Sequence, residues 1–274
     1  MQANLNGISD DYDEISSHVY SSENIPGVGC NLEQFETQIC NTCECFPEDC
    51  CPENNCSCIK LSHGVNYELY RGTKTVSNTK LNSTPCSSYS IFECNQMCSC
   101  SNSPCINRLV QFGPRKSLYL KSCPQKGLCL FTSLPILKGE FICEYAGEVI
   151  SRAEAKRRLD LDSRSSKMNY IFFLRENFTN EVVETIVDPS SIGNIGRYIN
   201  HSCSPNAAII PVRVDSVVPK LAIFAKSDIM AEKEITMSYS TGASSMVHSL
   251  PQDLKPCNCL EENCVKYLPN DNIF

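Results

Sequence analysis

The reading of this chain turns on Gly196-Arg197-Tyr198-Ile199-Asn200-His201-Ser202-Cys203-Ser204-Pro205-Asn206. Taken alone the stretch is ambiguous. An Asn-His pair identifies nothing, and His201 suits a satisfied structural histidine as well as a binding one. Adjacent residues such as His201, Ser202 and Cys203 do not align as the base and nucleophile of a hydrolase. Just upstream, Gly193-Asn194-Ile195-Gly196 lacks both the Lys-Ser pair and the helix-opening glycine of a phosphate loop. The stretch gains meaning from its surroundings: a cysteine-dense block precedes it, and a short Cys257-x-Cys259-x4-Cys264 follows.

With 274 residues, 42% of them hydrophobic, the chain can bury a substantial core, so one domain with small satellite modules is expected. The N-terminal MQANLNGISDDYDEISS has neither a basic region nor an apolar one, and no apolar run approaches the ~20 residues of a membrane span. A soluble intracellular protein is the expectation. Twenty cysteines there point to metal ligation, because reducing compartments keep thiols free. Four Asn-x-Ser/Thr sites, at Asn55, Asn82, Asn177 and Asn200, would suit a secreted disulfide scaffold, but the missing signal peptide opposes it. The formal charge of −7 favours basic peptides over phosphate backbones, so direct DNA binding by this chain alone is not expected.

Composition divides the chain. Residues 1–29, with the acidic cluster Asp10, Asp11, Asp13 and Glu14, read as a flexible tail. Residues 30–108 form a cysteine-rich module poor in apolar residues, in which Asn66 to Ser90 reads as a long polar loop and metal replaces a hydrophobic core. Residues 109–241 carry short apolar strands, with candidates at Glu140–Ile150, Asn169–Leu174, Val182–Val187, Leu221–Ala225 and Glu234–Tyr239. A Ser151-x-x-Glu154 capping box opens a short exposed helix. Residues 242–256 read as a linker, and 257–274 as a terminal module.

Together, FECNQMCSC, GEFICEYAGEVI, SIGNIGRYINHSCSPN, RVDSVVPKLAIFAKSDI and CNCLEENCVKYLP resemble a SET-domain lysine methyltransferase with pre-SET and post-SET zinc modules. The resemblance covers Cys43 to about Pro269. In wording it leans toward proteins that fuse a SET half to a mariner transposase, although 274 residues leave no room for a transposase part. It implies a mostly β SET fold with a knot-like crossing of the NHSC segment. It also implies methyl transfer from S-adenosylmethionine to a lysine ε-amine, on histone H3, in the nucleus and on the chromosome. The rival is a catalytically degenerate SET protein that binds peptide or chromatin.

The first thiol group is Cys43, Cys45, Cys51, Cys56, Cys58, Cys94, Cys98, Cys100 and Cys105, with Cys50 as the alternative to Cys51. Three tetrahedral zinc ions need about twelve bonds, which nine sulfurs supply if three of them bridge. The family carries such a cluster. The second group pairs Cys203 with Cys257, Cys259 and Cys264 in a one-zinc site that staples the C-terminus to the NHSC turn. About four zinc ions are therefore expected. The remaining cysteines, among them Cys30, Cys123 and Cys143, read as small buried hydrophobes.

Methyl transfer from a sulfonium to an amine is an in-line displacement that needs a neutral amine, alignment and a dry channel more than acid-base machinery. Tyrosines suit such a channel through their faces and hydroxyls. By resemblance Tyr239, closing Glu234-x4-Tyr239, places its hydroxyl at the reaction centre, and Tyr145 lines the channel. Arg197, Asn200 and His201 contact S-adenosylmethionine, Tyr170 lies over it, and Lys126, Gly127 and Leu128 form its loop. The chain departs from the family twice. Lys126-Gly127-Leu128-Cys129 stands where K-G-W-G is usual, and Met237 stands where a Phe or Tyr controls the number of methyls added.

Overall fold

The computed structural model describes residues 18–45, 56–70, 79–82, 90–102, 105–165, 168–178, 181–240 and 255–269. Cys50, Cys51 and most of the expected linker lie outside them. Short strands dominate the described residues. One sheet runs in the order Ile91–Phe92, Ala207–Arg213, Lys220–Ala225, Phe141–Glu144. A second is built on the long strand Val182–Gly193, which pairs with Phe172–Asn177, Gly147–Val149 and Val19–Tyr20, while Ile25–Pro26 extends it beyond Gly147–Val149. A third joins the hairpin Leu118–Cys123 and Gly127–Thr132 to Lys233–Glu234. Leu130, Ile136, Ile142, Leu221, Ile223 and Ile235, each 0% exposed, bind these layers into one apolar core.

The candidate strand Glu140–Ile150 divides into two that serve different sheets. Phe141–Glu144 pairs with Lys220–Ala225, and Gly147–Val149 pairs with the long strand. The transfer passes through Gly147, where a Cβ would sit 2.6 Å from Asp188 O, so only glycine fits the crossing. The helix Arg152–Ser165 begins as the capping box implies, with Glu154 N–H donating to Ser151 Oγ at 3.2 Å. Glu154 does not return the bond. Its carboxylate binds Arg157 at 2.7 Å and Arg158 at 2.8 Å instead.

Two sequence expectations are corrected. Within the tail expected over residues 1–29, the described part from residue 18 is not free, because Val19–Tyr20 pairs in parallel with Ile192–Gly193 and Ile25–Pro26 with Glu148–Val149. Main-chain bonds such as Ser21 N–H to Gly193 O at 2.8 Å hold this strap, and Val19 and Tyr20 stay exposed, so no apolar periodicity announces it. The polar loop expected over Asn66 to Ser90 contains the antiparallel pair Tyr67–Leu69 and Thr79–Leu81. Tyr67 is the reason: 1% exposed, it stacks near Phe224 and donates its hydroxyl to Glu93 at 2.7 Å, anchoring the cysteine-rich module to the strands.

Candidate active site and thiol centres

Asn200–His201 pairs in parallel with Thr236–Met237, and Ser202 N–H donates to Met237 O at 3.0 Å. This pairing brings the two decisive motifs together. Upstream, Asn194 caps the turn Ile195–Tyr198 by accepting from Gly196 N–H, and a Cβ on Gly196 would meet Glu144 O at 2.4 Å, so the turn packs directly on the core strand. Arg197 leaves that turn with its guanidinium over the rings of Tyr170, at 4.5 Å, and Tyr198, at 4.9 Å, and donates to Pro189 O at 2.9 Å.

The two phenols are tied to main chain. Tyr239 donates its hydroxyl to Ile199 O at 3.0 Å, and Tyr145 donates to Tyr170 O at 2.5 Å. Burial, first, and nearby phenols raise both pKa values well above the usual tyrosine range, so both rings are neutral. With each hydrogen committed to a carbonyl, each hydroxyl has lone pairs left for an incoming N–H. Met237, 3% exposed, lines a cavity of about 310 Å³ together with Phe172, Leu174, Pro205, Ala207 and Ile209.

His201 has both ring nitrogens engaged. Nδ1 accepts from Tyr239 N–H at 3.1 Å, and Nε2 lies 3.5 Å from Cys203 Sγ. Accepting at Nδ1 assigns the proton to Nε2, which donates to the sulfur. Burial lowers its pKa, consistent with a neutral ring. The expected cofactor contact of His201 is therefore not available to its ring nitrogens, which serve as a strut between Tyr239 and Cys203.

Lys126 ends the turn 124–126, and Gly127 and Leu128 open the strand Gly127–Thr132, with Gly127 at φ +74°, where a side chain would be strained. Cys129 is fully buried, and Asn200 Nδ2 donates toward its Sγ at 3.1 Å, toward Leu128 O at 3.2 Å and toward Glu234 Oε1 at 3.3 Å. Lys126 Nζ bonds Glu234 Oε2 at 2.8 Å. Burial opposes the lysine charge, but the carboxylate outweighs it and holds the ammonium above its ordinary pKa. Glu234 is the residue that sequence reasoning missed; only its place at the head of Glu234-x4-Tyr239 marked it.

The expected thiols gather in two places. Cys203, Cys257, Cys259 and Cys264 lie within 4.8 Å of one another, as do Cys43, Cys58, Cys94 and Cys98. Two further triplets, Cys43, Cys45, Cys56 and Cys94, Cys100, Cys105, share Cys43 and Cys94 with that quartet. The sulfur separations of 3.6 to 3.9 Å match the edge of about 3.8 Å that a tetrahedron with 2.3 Å metal–sulfur bonds requires. These groups could hold metal. At Cys259, burial works against ionisation, but main-chain groups of Cys203 and Glu261 and the neighbouring thiols outweigh it and bring its pKa to about 6. The terminal module also touches the turn just before Lys126, where Asn258 Nδ2 donates to Gln125 O at 3.1 Å.

Residues 127–240 match the SET domain family model. Bovine histone-lysine N-methyltransferase SETMAR is 39% identical over 261 residues, covering 92% of this chain and 82% of that protein. The solved methyltransferase domain of human SETMAR superposes with a TM-score of 0.76 at 37% identity, covering 92% of this chain and 89% of that one. Arabidopsis thaliana SUVH6, solved in complex with SAM, superposes at 0.69 with 26% identity, covering 92% of this chain and 50% of that one. An Asn-His motif paired beside the segment that ends at Tyr239, next to a four-thiol group and with this breadth of likeness, makes the chain a member of the SET-domain histone-lysine N-methyltransferase family.

Proposed function

We propose that this chain moves a methyl group from S-adenosylmethionine to the ε-amine of a lysine on the histone H3 tail, working on chromatin in the nucleus. The observation that carries the reading is the placement of two neutral phenols about the segment that bears Arg197 and Asn200: Tyr239 donates to Ile199 O within it, and Tyr145 donates to the main chain of Tyr170, whose ring lies under Arg197. S-adenosylmethionine, when bound, supplies an electrophilic methyl. The donor set suits it: a guanidinium over two phenol rings, a lysine ammonium, and an Asn200 amide whose two hydrogens face three acceptors.

The chain's residues then orient and desolvate. The lone pairs of the Tyr145 and Tyr239 hydroxyls hold the N–H groups of a neutral amine, and their ring faces favour the methylated ammonium. Neither phenol acts as a base at neutral pH, so the amine arrives deprotonated from solvent. Phe172–Asn177 pairs on one side only among the described residues, which leaves an edge on which a peptide can add as a strand beside the Met237 cavity.

The sulfurs fit zinc. Of the twelve bonds that three tetrahedral ions need, the quartet and two triplets supply ten. One further thiolate shared between the two triplets completes the count, and Cys51 or Cys50 is the candidate by number alone. With the Cys203 site the total is about four ions. The test is a methyl-transfer assay on nucleosomes and on histone peptides with mass-spectrometric mapping of the product. A wild-type protein that neither binds S-adenosylmethionine nor modifies a histone would favour the binding-module reading motivated by Leu128, Cys129 and Met237.

A further inference from the structure

We propose that Glu234 is a positioning residue for the cofactor: its carboxylate fixes Lys126 and Asn200 in one arrangement, and that arrangement sets affinity for S-adenosylmethionine. The inference rests on the methyltransferase reading above.

The backbone at Glu234 is clamped from both sides. Lys233–Glu234 pairs antiparallel with Phe131–Thr132, and two residues later Thr236–Met237 pairs in parallel with Asn200–His201. Between them Ile235 is 0% exposed and donates its N–H to Leu130 O at 2.8 Å. Asn206 closes the clamp, donating Nδ2 to Glu234 O at 2.8 Å and accepting from Thr236 N–H at 2.9 Å. A side chain on so fixed a backbone has few alternative placements.

The carboxylate divides its two oxygens between two motifs that are 74 residues apart in the chain, Lys126 to Asn200. Oε2 accepts from Lys126 at 2.8 Å, and Oε1 accepts from Asn200 at 3.3 Å. The side chains of Lys126 and Glu234 are each 17% exposed, so the pair is less screened than one on the surface. For Asn200 the consequence is orientation. Its amide has two hydrogens facing a carbonyl, a thiol and a carboxylate, and the charged acceptor is the strongest of the three. Removing that charge frees the amide to settle on Leu128 O and Cys129 Sγ, and releases the Lys126 ammonium. No hydrogen bond joins Glu234 to either phenol, and its charge reaches Tyr239 only as a lesser influence on a ring that burial already keeps neutral, so its main effect falls on binding rather than on the transfer step.

The experiment uses the full chain with its metal bound, and compares wild type, Glu234→Gln, Lys126→Met and the double variant. Calorimetric titration with S-adenosylhomocysteine reads affinity, and steady-state rates separate kcat from KM for the cofactor. Each single variant is expected to weaken S-adenosylhomocysteine about tenfold and raise KM similarly, with kcat within about twofold and metal content unchanged. The double variant is expected to be no weaker than Glu234→Gln alone, because the two residues act as one unit. Wild-type affinity in Glu234→Gln, or losses that add in the double variant, would overturn the proposal. So would a fall in kcat, metal content and melting temperature together, which marks a merely structural carboxylate. A wild-type protein that binds no S-adenosylhomocysteine at all would instead overturn the methyltransferase reading.

Discussion

The two thiol centres use the same chemistry for different ends. In the upstream group, Cys43, Cys45, Cys56, Cys58, Cys94, Cys98, Cys100 and Cys105 are all buried, and with Ile59 they are the core of their module. In the downstream group, Cys203, Cys257 and Cys264 are only half-buried, the thiols come from two distant segments, and His201 connects Cys203 to the main chain of Tyr239. The first centre replaces a hydrophobic core. The second props an active site that already has one. Metal loss should therefore unfold the former and misalign the latter.

The harshest way to break this contrast is Cys94→Ser. Cys94 belongs to both the quartet and a triplet, so its loss damages two ion sites at once. Structural zinc contributes on the order of 10 kcal/mol to segments of this kind, which is comparable with the whole stability of a domain. The variant should lose about three zinc ions and fail to order its upstream module, read by elemental analysis and by proteolysis of that region. Retention of about four ions would mean that the upstream sulfurs do not form one cluster.

Next in size is Tyr239→Phe, which touches neither centre. Removing one hydroxyl keeps the ring's packing and takes away its bond to Ile199 O and the orientation it supplies at the proposed reaction centre. A loss of roughly 10²-fold or more in kcat is expected, with zinc and cofactor binding near wild type. Full turnover would return Tyr239 to the role of a core tyrosine.

Cys259→Ser tests the strut. It should release about one zinc ion, leave the other three and the melting of the strands near wild type, and lower activity by about 10- to 100-fold. The expected route runs through Cys203 and His201 to the Tyr239 main chain. If activity survives the loss of that ion, the downstream centre is a staple and nothing more.

These contrasts were unequally legible in the sequence. Cysteine spacing marked every described thiol of both centres, because few chemistries demand such spacing. The strap at residues 18–29 was not legible, because it is held by main-chain bonds to strands more than a hundred residues away. The break inside Glu140–Ile150 was hidden because residues 141–147 are all buried, which erases the alternation that separates one strand from the next. His201 was open to two readings, and only three-dimensional partners distinguish them. Glu234 carried no signal of its own, since a carboxylate beside a strand is ordinary until Lys126 and Asn200 are seen to meet on it.

The smallest effect expected is a change of product rather than of rate. Met237 stands two residues before Tyr239, its main-chain carbonyl accepts from Ser202 N–H, and its side chain lines the 310 Å³ cavity. The downstream centre frames this wall through Cys203, the next residue along, but the side chain gives the wall its shape. Methionine is flexible and brings no hydroxyl, so it leaves room for an amine that already carries a methyl. Met237→Phe narrows that room, and Met237→Tyr also offers a hydroxyl that can retain a water. Both variants should shift the product toward fewer methyls on mass-spectrometric analysis, while zinc content and melting stay near wild type. An unchanged distribution in both would remove Met237 from the control of product number and leave the channel's shape to the frame alone.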